Sequence, residues 1–314
     1  MRSTILLTGS SGFLGRFLQP ALEAEGNVHT LGRGPACDIP CDLSQAVPIL
    51  PAADAVVHAA GRAHSIPGNA AEAAAFFAVN TEGTRRLLEA LEESTVRKFV
   101  FISSVSVYGL DWGEDIDEDT PLLGESPYAQ SKIQAEQLVE HWCRTKGLDW
   151  LILRLPLVAG PNAPGNLGNM VRAISKGRYV RIGRAQARKS MVQAADVADL
   201  VARWLANPTG PSGIYHLTDG HHPSFFELEE AIRTHHGKSR LPVLPYWVGK
   251  LLARIGDFVP ALPLNSNVFR KITRSLTFSD EKARRELEWK TDGSLIQNIF
   301  RREAPKNILN EAVS

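Results

Sequence analysis

The sequence predicts an α/β fold with a doubly wound parallel sheet, followed by a smaller and less regular lobe. Three observations predict it. Short apolar runs alternate with helix-periodic segments through the first half of the chain. The first such run, Thr4–Thr8, opens into glycines at 9, 12 and 15, spaced Gly-x-x-Gly-x-x-Gly. After Arg154 the alternation stops, and Pro156, Gly160, Pro161, Pro164, Gly165 and Gly168 crowd a loop-rich stretch.

Strands are predicted at Thr4–Thr8, Val28–Leu31, Ala55–His58, Lys98–Ser103 and Trp150–Arg154. Helices are predicted at Gly12–Glu25, Ala71–Ser94 and Pro127–Lys146. Right-handed crossovers gather the strand C-termini along one edge, and a site belongs there. The units read as 1–155 with parts of 190–220, then 156–303, then a loosely held tail over 304–314. Pro245–Pro263 is apolar and amphipathic (Tyr246, Trp247, Val248, Leu251, Leu252, Ile255, Phe258). It reads as a core-facing helix of the small lobe, with docking at a membrane surface as the alternative.

The 314 residues carry a net charge of +1, which gives no bulk attraction to nucleic acid or a membrane surface. Three cysteines, Cys37, Cys41 and Cys143, lack metal-ligand spacing and do not make a disulfide framework. The reading is no metal site and a reducing compartment. Met1-Arg2-Ser3-Thr4 runs straight into a strand, without a signal-peptide pattern, and no stretch is apolar enough to span a bilayer. A cytoplasmic location is therefore expected.

The three glycines let the backbone approach a pyrophosphate, whose charge then sits at a helix N-terminus. Loops use glycine for many reasons, so the turn needs support. It comes from Tyr128-Ala129-Gln130-Ser131-Lys132. Tyr128 and Lys132 share one helix face. A lysine cation beside a phenol favours the phenolate and makes Tyr128 a usable acid/base. In isolation the pair reads as a helix-start aromatic and a solvated lysine. The second strand ends in Gly32-Arg33, where an acid would accept from the ribose hydroxyls of NAD(H). Arg33 instead suits a 2′-phosphate, which favours NADP(H) over NAD(H).

Together these segments resemble the extended short-chain dehydrogenase/reductase family, in its nucleotide-sugar epimerase/dehydratase/reductase group. The resemblance runs from Thr8 to about Trp289. It implies a Rossmann fold with a C-terminal substrate-binding lobe. Thr8-Gly9-Ser10-Ser11-Gly12-Phe13-Leu14-Gly15 is similar to the family's cofactor turn, so Thr8, Gly9, Gly12, Phe13, Leu14 and Gly15 are cofactor candidates. Asp42 and Leu43 resemble the step that meets the adenine. Ala59, Ala60 and Gly61 resemble the loop beneath the cofactor. Asn80, in Val79-Asn80-Thr81-Glu82-Gly83-Thr84, resembles a position on the helix that supports the active-site strand, and the resemblance makes it a further cofactor candidate. Phe101–Gly109 resembles the strand end that carries the catalytic Ser or Thr, and counting back from Tyr108-Gly109 selects Ser104 over Ser103.

The resemblance then implies roles. Tyr128 exchanges a proton with the sugar oxygen, Lys132 lowers its pKa and holds the nicotinamide ribose, and Ser104 hydrogen-bonds the reacting oxygen. Asn166 and Arg188, the latter in Arg188-Lys189-Ser190-Met191-Val192, match substrate diphosphate contacts. Arg270 or Arg274 supplies a second contact, with solvated helix charges as the bland reading. Ser104 is followed by Val105-Ser106, without the acidic pair of the 4,6-dehydratases, and no cysteine at the strand end serves 3,5-epimerisation. Reduction of a UDP-4-keto-6-deoxy-N-acetylhexosamine at C4 and UDP-hexose 4-epimerisation both remain, and Arg33 favours the reductase. Pro156, where several epimerases carry Asn, puts one epimerase contact in doubt. A non-catalytic, NAD(P)-sensing binding protein is the alternative of another class. The family also implies a homodimer through the Ala71–Ser94 and Pro127–Lys146 helices.

Overall fold

A computed structural model describes residues 2–63, 67–259 and 264–300. Seven parallel strands form the central sheet: β1 (Ser3–Thr8), β2 (Gly26–Gly32), β3 (Ile39–Pro40), β4 (Ala55–His58), β5 (Lys98–Ser104), β6 (Asp149–Leu155) and β7 (Gly213–Tyr215). Their order is β3-β2-β1-β4-β5-β6-β7. The first half of the chain adds α1 (Gly15–Glu25), α2 (Ala70–Phe76), α3 (Gly83–Ala90) and α4 (Pro127–Lys146). The second half adds α5 (Gly165–Ser175), α6 (Ala194–Ala206), α7 (Phe225–His235), α8 (Tyr246–Gly256), α9 (Ser266–Thr273), α10 (Glu281–Glu286) and α11 (Leu295–Asn298).

The strands are apolar throughout because both faces of the sheet are covered. Ile5, Leu7, Val57, Leu151 and Leu153 bury one face with Leu18 and Leu22 of α1 and Val197 and Val201 of α6. Leu6, Val56, Phe99, Phe101 and Ile152 bury the other with Leu87 and Leu88 of α3 and Val139 and Cys143 of α4. Alternate residues of one strand thus feed two cores. The strand order reverses beside β1, between β2 and β4, which opens a crevice at their C-terminal ends. The remaining strands pair in short parallel twos: Leu157–Ala159 with Met191–Gln193, Arg181–Ile182 with Val243–Leu244, and Gly113–Ile116 with Leu276–Phe278.

Two predicted helices differ from what forms. The first starts at Gly15 and not Gly12, because the Gly12 amide closes a turn onto the Gly9 carbonyl at 2.9 Å. The Ala71–Ser94 helix is interrupted by a π-helical turn at Phe77–Glu82, between α2 and α3. That wider turn aims two successive residues at α4: Asn80 Nδ2 donates to Ser131 Oγ at 2.9 Å, and Thr81 Oγ1 to the Ser131 carbonyl at 3.1 Å. The predicted tail, and Pro260–Pro263 of the amphipathic segment, lie outside the described residues.

A buried polar network ties the sheet to the second lobe. Arg154 of β6 grips Glu136 of α4 through Nε and Nη2, at 3.1 and 2.9 Å on Oε2. Ser103 donates to the same carboxylate. Arg154 Nη1 donates to Tyr108 Oη at 2.9 Å and to the Glu118 carbonyl at 3.1 Å. Tyr108 Oη lies 2.6 Å from His216 Nε2, and His216 Nδ1 lies 3.1 Å from the Ser279 carbonyl. The carbonyl can only accept, so Nδ1 carries the imidazole proton and Tyr108 donates to Nε2. Burial holds His216 neutral, with its pKa down to about 4. A buried pair broken on one side leaves an uncompensated charge. Glu136→Leu should therefore cost about 3–5 kcal/mol, read as a lower urea midpoint, and Glu136→Leu with Arg154→Met should recover part of that loss.

Candidate active site

The cofactor candidates gather at the switch point. Gly9 has φ +77°, and a Cβ there would lie 2.6 Å from the Ala60 amide nitrogen. A Cβ on Gly15 would lie 2.0 Å from the Gly9 carbonyl oxygen. The turn after β1 therefore packs backbone to backbone against Ala59 and Ala60, at the end of β4. Phe13 and Leu14 lead into α1, whose first turn carries no acidic residue. Its amide-rich, positive end and the space left by the glycines fit a dinucleotide pyrophosphate.

A hydrogen-bond chain fixes this cradle. The Ala60 amide donates to Thr8 Oγ1 at 3.1 Å, and Thr8 Oγ1 lies 2.6 Å from His58 Nδ1, which accepts its proton once Nε2 is fixed as the ring donor. Thr84 Oγ1 donates to the Asn80 carbonyl at 2.6 Å, so it accepts from His58 Nε2 at 2.9 Å. Burial, with Lys132 nearby, holds His58 neutral with its pKa down to about 3. Asn80 was expected to bind the cofactor, but its carboxamide is spent within the protein. Oδ1 accepts from the Arg62 amide at 2.7 Å, and Nδ2 donates to the Arg62 carbonyl at 3.1 Å and to Ser131. Asn80 therefore positions the Ala59–Arg62 loop against α4.

Arg33 is exposed just beyond the end of β2. Asp42 Oδ1 accepts from the Ser44 amide and hydroxyl, which holds the Asp42 carboxyl below its usual range, with Arg33 and Arg86 adding to the effect. Leu43 is buried, and its carbonyl accepts from Arg86 at 3.0 Å. An acid that the sequence reading passed over, Asp38, also stands beside β2. Its Oδ2 accepts from the Thr30 amide and hydroxyl, both at 2.8 Å.

At the end of β5, strand alternation gives two neighbouring serines opposite surroundings. Ser103 is buried and committed to Glu136. Ser104 is half-buried, caps the 3-10 turn Val105–Tyr108 by accepting from the Ser106 amide at 3.2 Å, and lies near enough to Tyr128 to draw its pKa down. Tyr128 enters from α4, whose N-cap Ser126 accepts from the Ala129 amide. Ser104, Tyr128 and Lys132 are thus brought to one edge. The Lys132 effect differs from expectation. Its Nζ donates to the Ile102 carbonyl at 2.6 Å and stands 4.0 Å from the centre of the Phe101 ring. Burial draws the Lys132 pKa down to about 7, with Glu136 opposing. Tyr128 is held above the ordinary phenol value by burial, and Ser104 is the group that pulls it down. Lys132 is turned toward the strand carbonyl and does not produce the lowering that the sequence suggested.

Of the substrate candidates, Arg188 and Arg274 are neighbours: the Arg188 amide donates to Ser275 Oγ at 3.1 Å. Both are exposed. Arg188 Nη1 reaches the His222 carbonyl at 2.8 Å, and the Arg274 guanidinium lies 5.7 Å from the Trp112 ring centre. Asn166 is exposed in the first turn of α5. Two residues escaped the sequence reading. Lys189 is drawn down to about 8 by burial, beside Asp111 and Lys271. Arg270 and Lys271 also face Asp111, at 3.7 and 4.0 Å. Ser106 keeps a buried hydroxyl without a partner among the described residues. The signal for Lys189 was its place next to Arg188, one residue nearer the strand Met191–Gln193. No grouping that could hold a metal ion, and no helix long and apolar enough to cross a membrane, occurs among the described residues.

A glycine cradle at the switch point of a parallel sheet in this order defines a Rossmann-type, dinucleotide-binding protein. Residues 5–217 match the NAD dependent epimerase/dehydratase family, and the chain belongs to it. It is 28% identical over 322 residues to a UDP-glucose 4-epimerase of Vibrio cholerae, covering 97% of this chain and 95% of that one. It is 29% identical over 248 residues to a GDP-6-deoxy-D-mannose reductase of Pseudomonas aeruginosa, covering 74% and 80%. Its fold matches that of UDP-glucose 4-epimerase from Thermotoga maritima, solved with UDP-glucose, at a TM-score of 0.73 and 20% identity over 94% of this chain and 96% of that one. The chain thus stands among NAD(P)-dependent nucleotide-sugar epimerases, dehydratases and reductases. Gly9→Ala should weaken NAD(P)H binding by about 2 kcal/mol, roughly 30-fold in Kd by titration calorimetry, because the left-handed turn and the Ala60 contact both resist a Cβ.

Proposed function

We propose that this chain reduces the C4 ketone of a UDP-linked 4-keto-6-deoxy-hexosamine, using NADP(H), in the cytoplasm. The observation that carries the reading is Arg33, exposed just beyond β2 where an acid would meet the ribose hydroxyls of NAD(H). A guanidinium there suits the 2′-phosphate of NADP(H), the cofactor of an enzyme that consumes reductant at each turnover. When bound, the reduced cofactor supplies hydride to the sugar carbon. Tyr128 delivers the proton to the developing alkoxide, and Ser104 donates a hydrogen bond to the same oxygen. Lys132 holds the nicotinamide ribose with the donors that the Ile102 carbonyl leaves free. The glycine cradle, Asp42, Leu43 and Ala59–Gly61 hold the cofactor, and Arg33 meets the 2′-phosphate. Residues 1–155 with parts of 190–220 form the cofactor domain and 156–303 the substrate lobe. There Arg188, Arg274 and Lys189 bind the diphosphate, and Asn166 closes over it. A homodimer would form through α2, α3 and α4.

A second reading, 4-epimerisation of a UDP-hexose, is favoured by the likeness to the Vibrio cholerae epimerase over 97% of the chain. NADPH oxidation on adding a UDP-4-keto-6-deoxy-N-acetylhexosamine separates the two. Tyr128→Phe should lower kcat by about 10²–10⁴-fold while NADPH binding persists. Interconversion of UDP-hexose epimers with the cofactor returned unchanged would establish the epimerase instead. Arg33→Ala should raise KM for NADPH by about 10–100-fold, the worth of a charge-assisted phosphate contact, and leave NADH unaffected. Equal use of both cofactors, with no effect of Arg33→Ala on either, would overturn the NADP(H) preference.

A further inference from the structure

Helix α8 is amphipathic in the inverted sense. Its buried residues are small: Gly249, Ala253 and Gly256. A Cβ on Gly249 would lie 2.9 Å from Ile182 Cγ2, and one on Gly256 would lie 1.9 Å from the Leu264 carbonyl oxygen. The helix therefore packs closely on its small-residue face and turns its large residues outward. Trp247 is 70% exposed, Leu251 52%, Ile255 43% and Phe258, just past the helix, 88%. At 100° per residue these four fall within one sector, opposite the three small residues. The core-facing reading of this segment is thereby corrected, since the core takes the small side chains.

Exposed Lys250 and Arg254 flank the same sector, and neither is in an ion pair among the described residues. Helix α8 contains no acidic residue. Asp257, which follows it, is occupied by the Ser266 amide at 2.8 Å. We propose that α8 docks this protein on an anionic lipid bilayer, with Trp247, Leu251, Ile255 and Phe258 entering the headgroup–acyl boundary and Lys250 and Arg254 meeting the lipid phosphates. Charge selects this occupant over a second copy of the chain. An antiparallel copy on the same face would set Lys250 and Arg254 beside their own counterparts, whereas an anionic surface neutralises both. The attraction is local, so it needs no excess in the net charge of +1. Docking of this kind does not depend on which sugar reaction the site performs.

The test is co-sedimentation of the full chain with vesicles of phosphatidylcholine alone and with about 30% phosphatidylglycerol, where anionic lipid should bring the surface attraction. The chain should pellet with the anionic vesicles and be released by salt. The triple substitution Trp247→Ser, Leu251→Ser and Phe258→Ser should abolish pelleting without moving the urea midpoint, since these side chains are exposed. Lys250→Gln with Arg254→Gln should weaken binding about 30-fold at low salt, at about 1 kcal/mol per cation near the surface. Failure of the wild-type chain to pellet with anionic vesicles at low salt overturns the proposal. Equal pelleting of both variants and the wild type overturns it too. So does a sedimentation-velocity dimer that the serine substitutions convert to monomer, which would make the face a contact between copies.

Discussion

The pairing of Arg154 with Glu136 is the constraint on which the rest of the site depends. Two opposite charges have been taken out of water, and that is costly unless their donors and acceptors are met. They are met by three groups that follow one another along the chain: Ser103 at the end of β5, Tyr108 in the turn beyond it, and the Glu118 carbonyl in the loop that follows. Through Tyr108 and His216 the network reaches Ser279 in the second lobe. Glu136 lies four residues beyond Lys132 and eight beyond Tyr128 on one face of α4. Holding Glu136 in place therefore sets the height and rotation of the helix that presents both site residues.

The cofactor side follows a different logic, in which backbone and not charge does the positioning. Gly9 and Gly15 allow peptide groups to approach closer than any side chain permits. The π-helical turn at Phe77–Glu82 serves the same end from the other side of the sheet. It lets Asn80 brace the Ala59–Arg62 loop while Thr81 reaches α4. Irregular helix geometry is thus used here to aim two adjacent side chains at a single neighbour.

Much of this was legible in the sequence because it rests on local rules. All five predicted strands form within two residues of their expected ends, and the helix Pro127–Lys146 keeps both its limits, with Pro127 at its start and Gly147 in the left-handed conformation after it. What was not legible depends on distant contacts. Nothing near Asn80 announces that its carboxamide is saturated by Arg62 and Ser131, and nothing near Lys132 announces that its ammonium is taken by the Ile102 carbonyl. Helix α8 misled for a related reason. Periodicity tells which residues share a face but not which face meets the core, and close packing of glycines and alanine can outcompete larger side chains for the interior.

The Thr8–His58–Thr84 chain has a direction as well as a geometry. The Asn80 carbonyl can only receive a proton, so Thr84 donates to it and must accept from His58 Nε2. With His58 held neutral by burial, Nδ1 carries no proton and Thr8 donates to it. Hydrogen-bond direction serves here as a lock on the backbone: the turn after β1 and the loop after β4 are held in one arrangement of donors and acceptors for as long as burial keeps His58 uncharged.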